Sequence, residues 1–145
     1  SYSHQYKEIY QSMDAFQADY ERISNCLTAA TGIKPLYYRF PGGSTEVTEK
    51  LQMTDLDAYF NAQGASYFDW NVIAANNTTD DVSVNKMVDS VMNGVALYDT
   101  SIVLMYDSVD RKMTAKSLDS ILDYLLKNGY EILPIDENTI PIRHS

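Results

Sequence analysis

The sequence predicts an α/β protein with a parallel sheet, and two features of the chain support this fold class. Helix-like and strand-like hydrophobic patterns alternate in the order α-β-α-β-α-β-α-β. The strand-like segments are short apolar runs of the kind that form buried parallel strands. Because strict alternation with right-handed crossovers gives a parallel sheet, we expect one that is either open and doubly wound or closed into a barrel.

The first half of the chain contains two predicted helices, each followed by a predicted strand. Apolar residues at helical spacing mark the first helix, and Gly32 terminates it. Pro41 and the two glycines after it break the first strand, and Gly64 closes the second helix. The predicted elements are a helix over 13–30, a strand over 36–40, a helix over 55–63 and a strand over 66–72.

The second half continues the alternation after a polar loop. Its first helix has one apolar face, and its first strand is an apolar run typical of a buried parallel strand. Gly129 follows the last helix. The predicted elements are a loop over 76–83, a helix with Val84, Met87, Val88, Val91 and Met92 on its apolar face, a strand over 101–106, a helix over 118–125 and a strand over 130–134.

Composition restricts the partners that the chain can bind. Its 145 residues are 45% hydrophobic and 21% charged, which predicts a single soluble globular domain over residues 1–145. The net charge of −9 argues against nucleic acid and anionic membrane surfaces as partners, and no apolar run is long enough for direct membrane insertion. Cys26 is the only cysteine, and we predict a small buried residue of the first helix rather than a nucleophile.

Polar and aromatic residues follow the apolar part of three predicted strands. Arg39 ends the first strand, Asp69 and Trp70 lie in the second, and Tyr106 ends the third. Because parallel α/β proteins form their sites at the carboxyl ends of the strands, we predict that these side chains meet at one rim. His144 lies in the polar tail and is assigned no role.

These residue types are suited to binding and to acid–base chemistry. Arg39 would pair with Asp69 and hold this acid in place, and Trp70 would form a flat apolar wall for a sugar ring. Gly42 and Gly43 would leave backbone N–H groups open to an oxyanion. Each feature also has a structural interpretation: the arginine as a salt-bridge partner, the tryptophan as a packing residue, and Pro-Gly-Gly as an ordinary turn.

Four short motifs, in order along the chain, resemble those of one family. Ser1-Tyr2-Ser3-His4 is similar to the end of a His-Ser/Thr-x-x-His metal motif, and Arg39-Phe40-Pro41-Gly42 is similar to an Arg-x-Pro-Tyr motif. Asp69-Trp70 resembles an Asp-Trp motif, and Leu104-Met105-Tyr106-Asp107 stands where a Leu-x-His motif is expected. With the closing segment over 126–133, the chain resembles the polysaccharide deacetylases (the NodB-homology domain of carbohydrate esterase family 4), over the C-terminal two thirds of that domain.

The resemblance implies a distorted β/α barrel that binds a divalent metal, in this family often zinc. It implies a hydrolase that removes N-acetyl groups from an amino-sugar polysaccharide such as peptidoglycan or a chitin-like polymer. By position, His4 would be a metal ligand, Arg39 would orient the catalytic base and Asp69 would tune the catalytic acid. The implied location is the cell envelope or the extracellular space. The implied substrate-binding residues are Pro41, Gly42, Gly43 and Trp70, with the Gly42 N–H on the oxyanion.

The chain departs from the family pattern in its motifs. The Asp-Asp motif, which supplies the base and one metal ligand, has no counterpart, and the first His of the metal motif would fall just before Ser1. These two gaps fit a chain that lacks the N-terminal strands and first motif of the domain, so the missing part must be elsewhere or the fold is altered. Tyr106 stands where the acid His belongs, and tyrosine is a poorer proton donor at neutral pH. Gly42 replaces the motif tyrosine, a position whose backbone matters for the oxyanion.

Three functions are consistent with these residues. The first is a metal-dependent de-N-acetylase of an envelope or chitin-like polysaccharide. The second is a deacetylase-like domain that has lost its acid at Tyr106 and serves in glycan binding or structure. The third is an unrelated small α/β enzyme or binding domain whose strand ends match the motifs by chance.

Overall fold

The computed structural model describes residues 1–47, 51–75, 82–108 and 112–144. The chain separates into two compact units: unit 1 consists of Ser1–Asp69 and Ile140–Ser145, and unit 2 consists of Trp70–Thr139. Each unit contains a two-stranded parallel sheet. The predicted α/β class with parallel strands is therefore confirmed. The described residues form no closed barrel, and the single domain over residues 1–145 stays a prediction.

Unit 1 combines one small sheet with helices, and it includes Ile140–Ser145 from the second half of the chain. Strands β1 and β2 pair in parallel, with Tyr37 opposite Ser66 and Tyr38 opposite Tyr67. The elements of this unit are α1 (Tyr6–Ile9), α2 (Met13–Thr31), β1 (Tyr37–Tyr38), a 3₁₀ turn (Ser44–Glu46), α3 (Met53–Gln63) and β2 (Ser66–Tyr67).

Helix α2 follows its predicted limits because both ends are capped locally. The Ser12 Oγ accepts a hydrogen bond from the Ala15 N–H (3.2 Å), and Gly32 adopts the left-handed conformation and donates to the Thr28 carbonyl (2.8 Å). The prediction that Cys26 is buried is wrong, since its side chain is exposed. It lies two residues beyond the buried Ser24, a step of about 200° around the helix axis, which turns it toward solvent.

The core of unit 1 is a cluster of aromatic rings. Phe16, only 1% exposed, meets Tyr38 edge to face at a centroid distance of 5.9 Å, and Phe40 meets Tyr67 at 4.8 Å. Such edge-to-face pairs contribute about 0.5–1.5 kcal/mol beyond the burial of their area. The aromatic run that was predicted as the first strand therefore serves mainly as core packing. The buried rings are Tyr10, Phe16, Tyr20, Tyr38, Phe40, Phe60, Tyr67 and Phe68.

The predicted strand over 66–72 is two strands rather than one. The Phe68 N–H still donates to the Tyr38 carbonyl of β1 (2.9 Å), but the next N–H, that of Asp69, donates to the Ile142 carbonyl (2.7 Å). The Asn71 N–H then donates to the carbonyl of Ile102 (3.2 Å), the residue directly before β4 (Val103–Leu104). Because the backbone changes hydrogen-bond partner at each of these steps, no continuous ladder forms. The first strand is likewise shorter than its predicted span.

Unit 2 packs two helices with a second small sheet. Strand β3 pairs with β4 in parallel, with Val72 opposite Val103 and Ile73 opposite Leu104. Helix α4 begins at the capping residue Ser83, whose Oγ accepts from the Lys86 N–H (3.3 Å). Its elements are β3 (Val72–Ile73), α4 (Val84–Val95), β4 (Val103–Leu104) and α5 (Lys112–Lys127), and its core consists of Val72, Ala74, Val91, Val95 and Ile121.

Two further predictions of local structure have different outcomes. The strand predicted over 130–134 is wrong: this segment has no strand, and Leu133 is 74% exposed. A strand requires a hydrogen-bonded neighbour, and the described residues give 131–134 none. The polar loop predicted over 76–83 lies mostly outside the described residues.

None of the helices that the structure describes combines the length and hydrophobicity that a bilayer crossing requires.

Candidate functional site

The Asp69 carboxylate is the centre of a buried polar network in unit 1. Asp69 is fully buried, and Ser44 is 1% exposed. The Ser44 N–H donates to Oδ1 of Asp69 (2.9 Å), and the Ser44 hydroxyl donates to Oδ2 (2.6 Å). The backbone N–H of His144 also donates to Oδ2 (2.8 Å). A buried carboxylate is stable only when its oxygens accept such hydrogen bonds, so this network joins the strand end to two distant segments.

The turn formed by Pro41, Gly42 and Gly43 lies next to this network. The Tyr10 hydroxyl donates to the Pro41 carbonyl (2.8 Å), and burial raises the pKa of Tyr10, so this hydroxyl keeps its proton. The Gly43 N–H donates to the Phe40 carbonyl within the turn (2.8 Å). That N–H is therefore already engaged, and the Gly42 N–H is the candidate oxyanion donor of the two.

Only glycine fits at position 42. Its φ is +79°, in the left-handed region that L side chains avoid. A Cβ atom there would overlap the Glu46 side chain and lie 2.9 Å from Cε2 of Tyr6. Glycine at this position therefore allows the Glu46 and Tyr6 side chains to lie close to the backbone of the turn.

Arg39 lies beside the same strand end and is half-buried. Its Nε donates to the carbonyl of Phe68 (3.4 Å), the residue directly before Asp69. Burial lowers the pKa of the Arg39 guanidinium, while attraction to the Asp69 carboxylate raises it. The predicted pairing of Arg39 with Asp69 stays a prediction, and the hydrogen bond to Phe68 orients the arginine.

The C-terminal segment is the part of the site that the sequence did not reveal. The Ile142 carbonyl accepts from the Asp69 N–H, and His144 donates to its carboxylate. Arg143 holds the segment in place: Nη1 lies 3.3 Å from Oδ1 of Asp57, and the guanidinium lies 4.1 Å from the centre of the Tyr67 ring. No local pattern signals these contacts, since Asp69 and His144 are 75 residues apart.

Trp70 and Tyr106 belong to unit 2, where both are half-buried. Trp70 precedes β3 by two residues, and Tyr106 follows β4 by two residues. Because these strands are parallel and in register, the two residues flank opposite ends of this ladder. The ladder therefore does not favour a shared rim for them.

Asn71, which sequence reasoning missed, fixes the start of β3 against the segment before β4. Its Oδ1 accepts a hydrogen bond from the Ile102 N–H (2.8 Å), and its Nδ2 donates to the Thr100 carbonyl (2.9 Å).

The predicted metal ligand His4 lies on a segment anchored to α2. The Asp19 carboxylate accepts hydrogen bonds from the Ser1 hydroxyl (2.7 Å), the Tyr2 N–H (2.9 Å) and the Ser3 N–H (2.8 Å). His4 has a φ of +56° and is exposed. In the described ranges, no group of three or more His, Cys, Asp or Glu side chains is placed to hold a metal ion. Since a catalytic zinc takes three protein ligands, the described residues alone do not fit a metal centre.

Comparisons with known proteins give relatives only among solved structures. No protein-family model matches the chain, and no curated protein matches it. The catalytic domain of a peptidoglycan N-acetylglucosamine deacetylase from Eubacterium rectale is 30% identical, with a TM-score of 0.87, over 99% of this chain and 66% of that one. A CE4 esterase of Streptococcus mutans is 24% identical, with a TM-score of 0.77, over 90% of this chain and 59% of that one.

The polysaccharide deacetylase Bc1974 of Bacillus cereus has the same fold at lower identity. It is 18% identical, with a TM-score of 0.75, over 98% of this chain and 68% of that one. The chain thus spans about two thirds or less of the length of the first two structures. The resemblance predicted from four motifs is confirmed: the chain is a relative of the carbohydrate esterase family 4 polysaccharide deacetylases and corresponds to a fragment of their NodB-type domain.

Proposed function

We propose that the protein is a polysaccharide deacetylase, which removes N-acetyl groups from an amino-sugar polymer such as peptidoglycan. The supporting observation is the match to the Eubacterium rectale deacetylase domain, at 30% identity over 99% of this chain. The buried network of Asp69 also supports the proposal, because Ser44, which directly follows the glycine turn, donates two hydrogen bonds to its carboxylate. The same proposal places the protein at the cell envelope or outside the cell.

The reaction is hydrolysis of an acetamide. A water oxygen bonds to the carbonyl carbon, the C–N bond breaks, the nitrogen leaves as an amine after taking a proton, and acetate is released. Negative charge develops on the former carbonyl oxygen before the C–N bond breaks. The Gly42 N–H is proposed to donate to this oxygen, a type of contact worth about 3 kcal/mol in the transition state.

The remaining predicted residues have roles around this amide in the proposal. Arg39, held by the Phe68 carbonyl, would orient the base, and Asp69 would act on the acid. Pro41 and Gly43 shape the turn that presents the Gly42 amide. Trp70 would contact the sugar ring.

A divalent metal, proposed to be zinc, would activate water and polarise the carbonyl when bound. His4 is the residue of this chain proposed as one ligand, and Asp19 fixes the segment before it. The other ligands would come from outside the described residues.

A second candidate function rests on Tyr106. A tyrosine at the position of the acid His is a weaker proton donor at neutral pH, so the domain would bind glycan or serve a structural role without efficient turnover. Both candidates have a polysaccharide as the partner, and they differ in the release of acetate.

The test is acetate release from an N-acetylglucosamine oligomer with added zinc, measured for the protein and for Tyr106→His. Tyr98→His is the matched control, because Tyr98 is 47% exposed in the same unit. Release by the unmodified protein supports the deacetylase. No release, with activity gained by Tyr106→His and not by Tyr98→His, supports the second function. If neither the protein nor Tyr106→His releases acetate, the proposed deacetylase activity is refuted.

A further inference from the structure

The Asp69 carboxylate binds two segments that are far apart in sequence. One is the segment at Ser44, the residue directly after the turn formed by Pro41, Gly42 and Gly43. The other is the C-terminal segment at His144. Three donors reach two carboxylate oxygens at 2.6–2.9 Å. Because Asp69 is fully buried, these hydrogen bonds do not compete with bulk water.

We propose that Asp69 is a positioning residue that clamps the glycine turn to the C-terminal segment and thereby aims the Gly42 amide. This inference rests on the proposed deacetylase function, and it gives Asp69 a second role besides tuning the acid. The Ser44 N–H lies two residues after Gly42, so a shift of Ser44 moves the peptide plane that carries the Gly42 amide. Asp69 would then affect catalysis by setting the backbone position of the glycine turn.

The C-terminal segment is part of this clamp. Its anchor, Arg143, is held by Asp57 and by the Tyr67 ring, and the Asp69 N–H binds the Ile142 carbonyl. If this anchor is released, the His144 N–H is no longer held against the carboxylate. One of the three hydrogen bonds that orient Asp69 then weakens, and the turn loses support from a segment that does not touch substrate.

Three substitutions test the clamp at different points. Asp69→Asn keeps the size of the side chain but replaces one acceptor oxygen by an NH₂ group, which cannot accept from Ser44 or His144. Ser44→Ala removes only the hydrogen bond from the Ser44 hydroxyl to Asp69. Arg143→Gln removes only the contacts of the Arg143 guanidinium with Asp57 and the Tyr67 ring. Asp55→Asn is the matched control, since Asp55 is an exposed carboxylate on α3.

The first measurement is amide hydrogen exchange at Ser44 and His144, followed residue by residue by NMR on the whole protein. Asp69→Asn and Arg143→Gln should speed exchange of the Ser44 amide by about tenfold or more, and Asp55→Asn should leave it unchanged. The inference is overturned if the Ser44 amide exchanges at the wild-type rate in both variants. If Asp69→Asn does not fold, Ser44→Ala and Arg143→Gln decide the question by the same readout.

The second measurement separates kcat from KM in acetate release from the N-acetylglucosamine oligomer. Loss of an oxyanion donor lowers rates by about 10²–10³-fold, so a misaimed donor should lower kcat by about 10–100-fold in Asp69→Asn with little change in KM. A loss confined to KM, or one no larger than in Asp55→Asn, contradicts the role in aiming the amide. If the unmodified protein releases no acetate, the deacetylase proposal fails by itself, and the exchange data alone decide whether Asp69 clamps the turn.

Discussion

Replacing Gly42 by alanine tests whether the candidate oxyanion turn requires glycine for two separate reasons. One is conformational, since φ is +79° at this position. The other is steric, since a Cβ atom would overlap the Glu46 side chain and approach Cε2 of Tyr6 at 2.9 Å. Replacing Gly32 by alanine tests the conformational reason alone. Its φ is +75°, and a Cβ atom there would have no neighbour within 4 Å.

The expected magnitudes follow from this difference. An L residue in the left-handed region costs about 1–2 kcal/mol, and this cost applies to both positions. Overpacking at Gly42 adds about 1–3 kcal/mol, because a side chain or the turn itself must move. Gly42→Ala should therefore lower the free energy of unfolding by about 2–5 kcal/mol, and Gly32→Ala by about 1–2 kcal/mol.

The assay is urea denaturation of wild type, both single variants, and Gly42→Ala combined with Glu46→Ala. Removing the Glu46 side chain beyond Cβ should restore part of the stability lost in Gly42→Ala, because it deletes the nearest overlapping atom. A Gly42→Ala loss no greater than that of Gly32→Ala would show that the steric reasoning is wrong. Failure of Glu46→Ala to restore any stability would assign the overlap to Tyr6 instead.

Three further predictions concern packing and pH. Gly94→Ala should lower the free energy of unfolding by about 1–3 kcal/mol, because a Cβ atom would lie 2.6 Å from Cγ1 of Val72; a double-mutant cycle with Val72→Ala should show a favourable coupling, and additivity would refute the contact. Phe16→Ala should cost about 3–5 kcal/mol in thermal unfolding, since Phe16 is 1% exposed, whereas Leu27→Ala on the same helix, at 42% exposure, should cost much less. Burial acts to raise the pKa of Asp19, but hydrogen bonds from the first three residues outweigh it and lower the pKa. The stability that Asp19 contributes should therefore be present above about pH 4 and be lost as pH falls through the lower folded-state pKa. Asp19→Asn should remove this dependence, and an unchanged acid limb of the stability curve would contradict the assignment.

The sequence by itself determined the class of fold and the four longer helices, but it gave no sign of α1 (Tyr6–Ile9). Local signals suffice for these features: α2 runs from the cap at Ser12 to the glycine at Gly32 because helical periodicity and capping are properties of neighbouring residues. The four motifs also indicated the family, which the comparisons then confirmed. Periodicity, however, predicts that a residue lies on a helix without showing which helical positions other parts of the chain bury. The sequence therefore did not reveal that Cys26 is exposed.

Only the tertiary structure decided where strands end and what surrounds Asp69. The strand predicted over 66–72 divides because successive N–H groups find acceptors in β1, in the C-terminal segment and beside β4. In the segment predicted as a strand over 130–134, the described residues give 131–134 no backbone hydrogen-bond partner. His144, which the sequence left without a role, donates to Asp69 across 75 residues of chain. A hydrogen bond between distant residues depends on the whole fold, and no pattern among sequence neighbours encodes it.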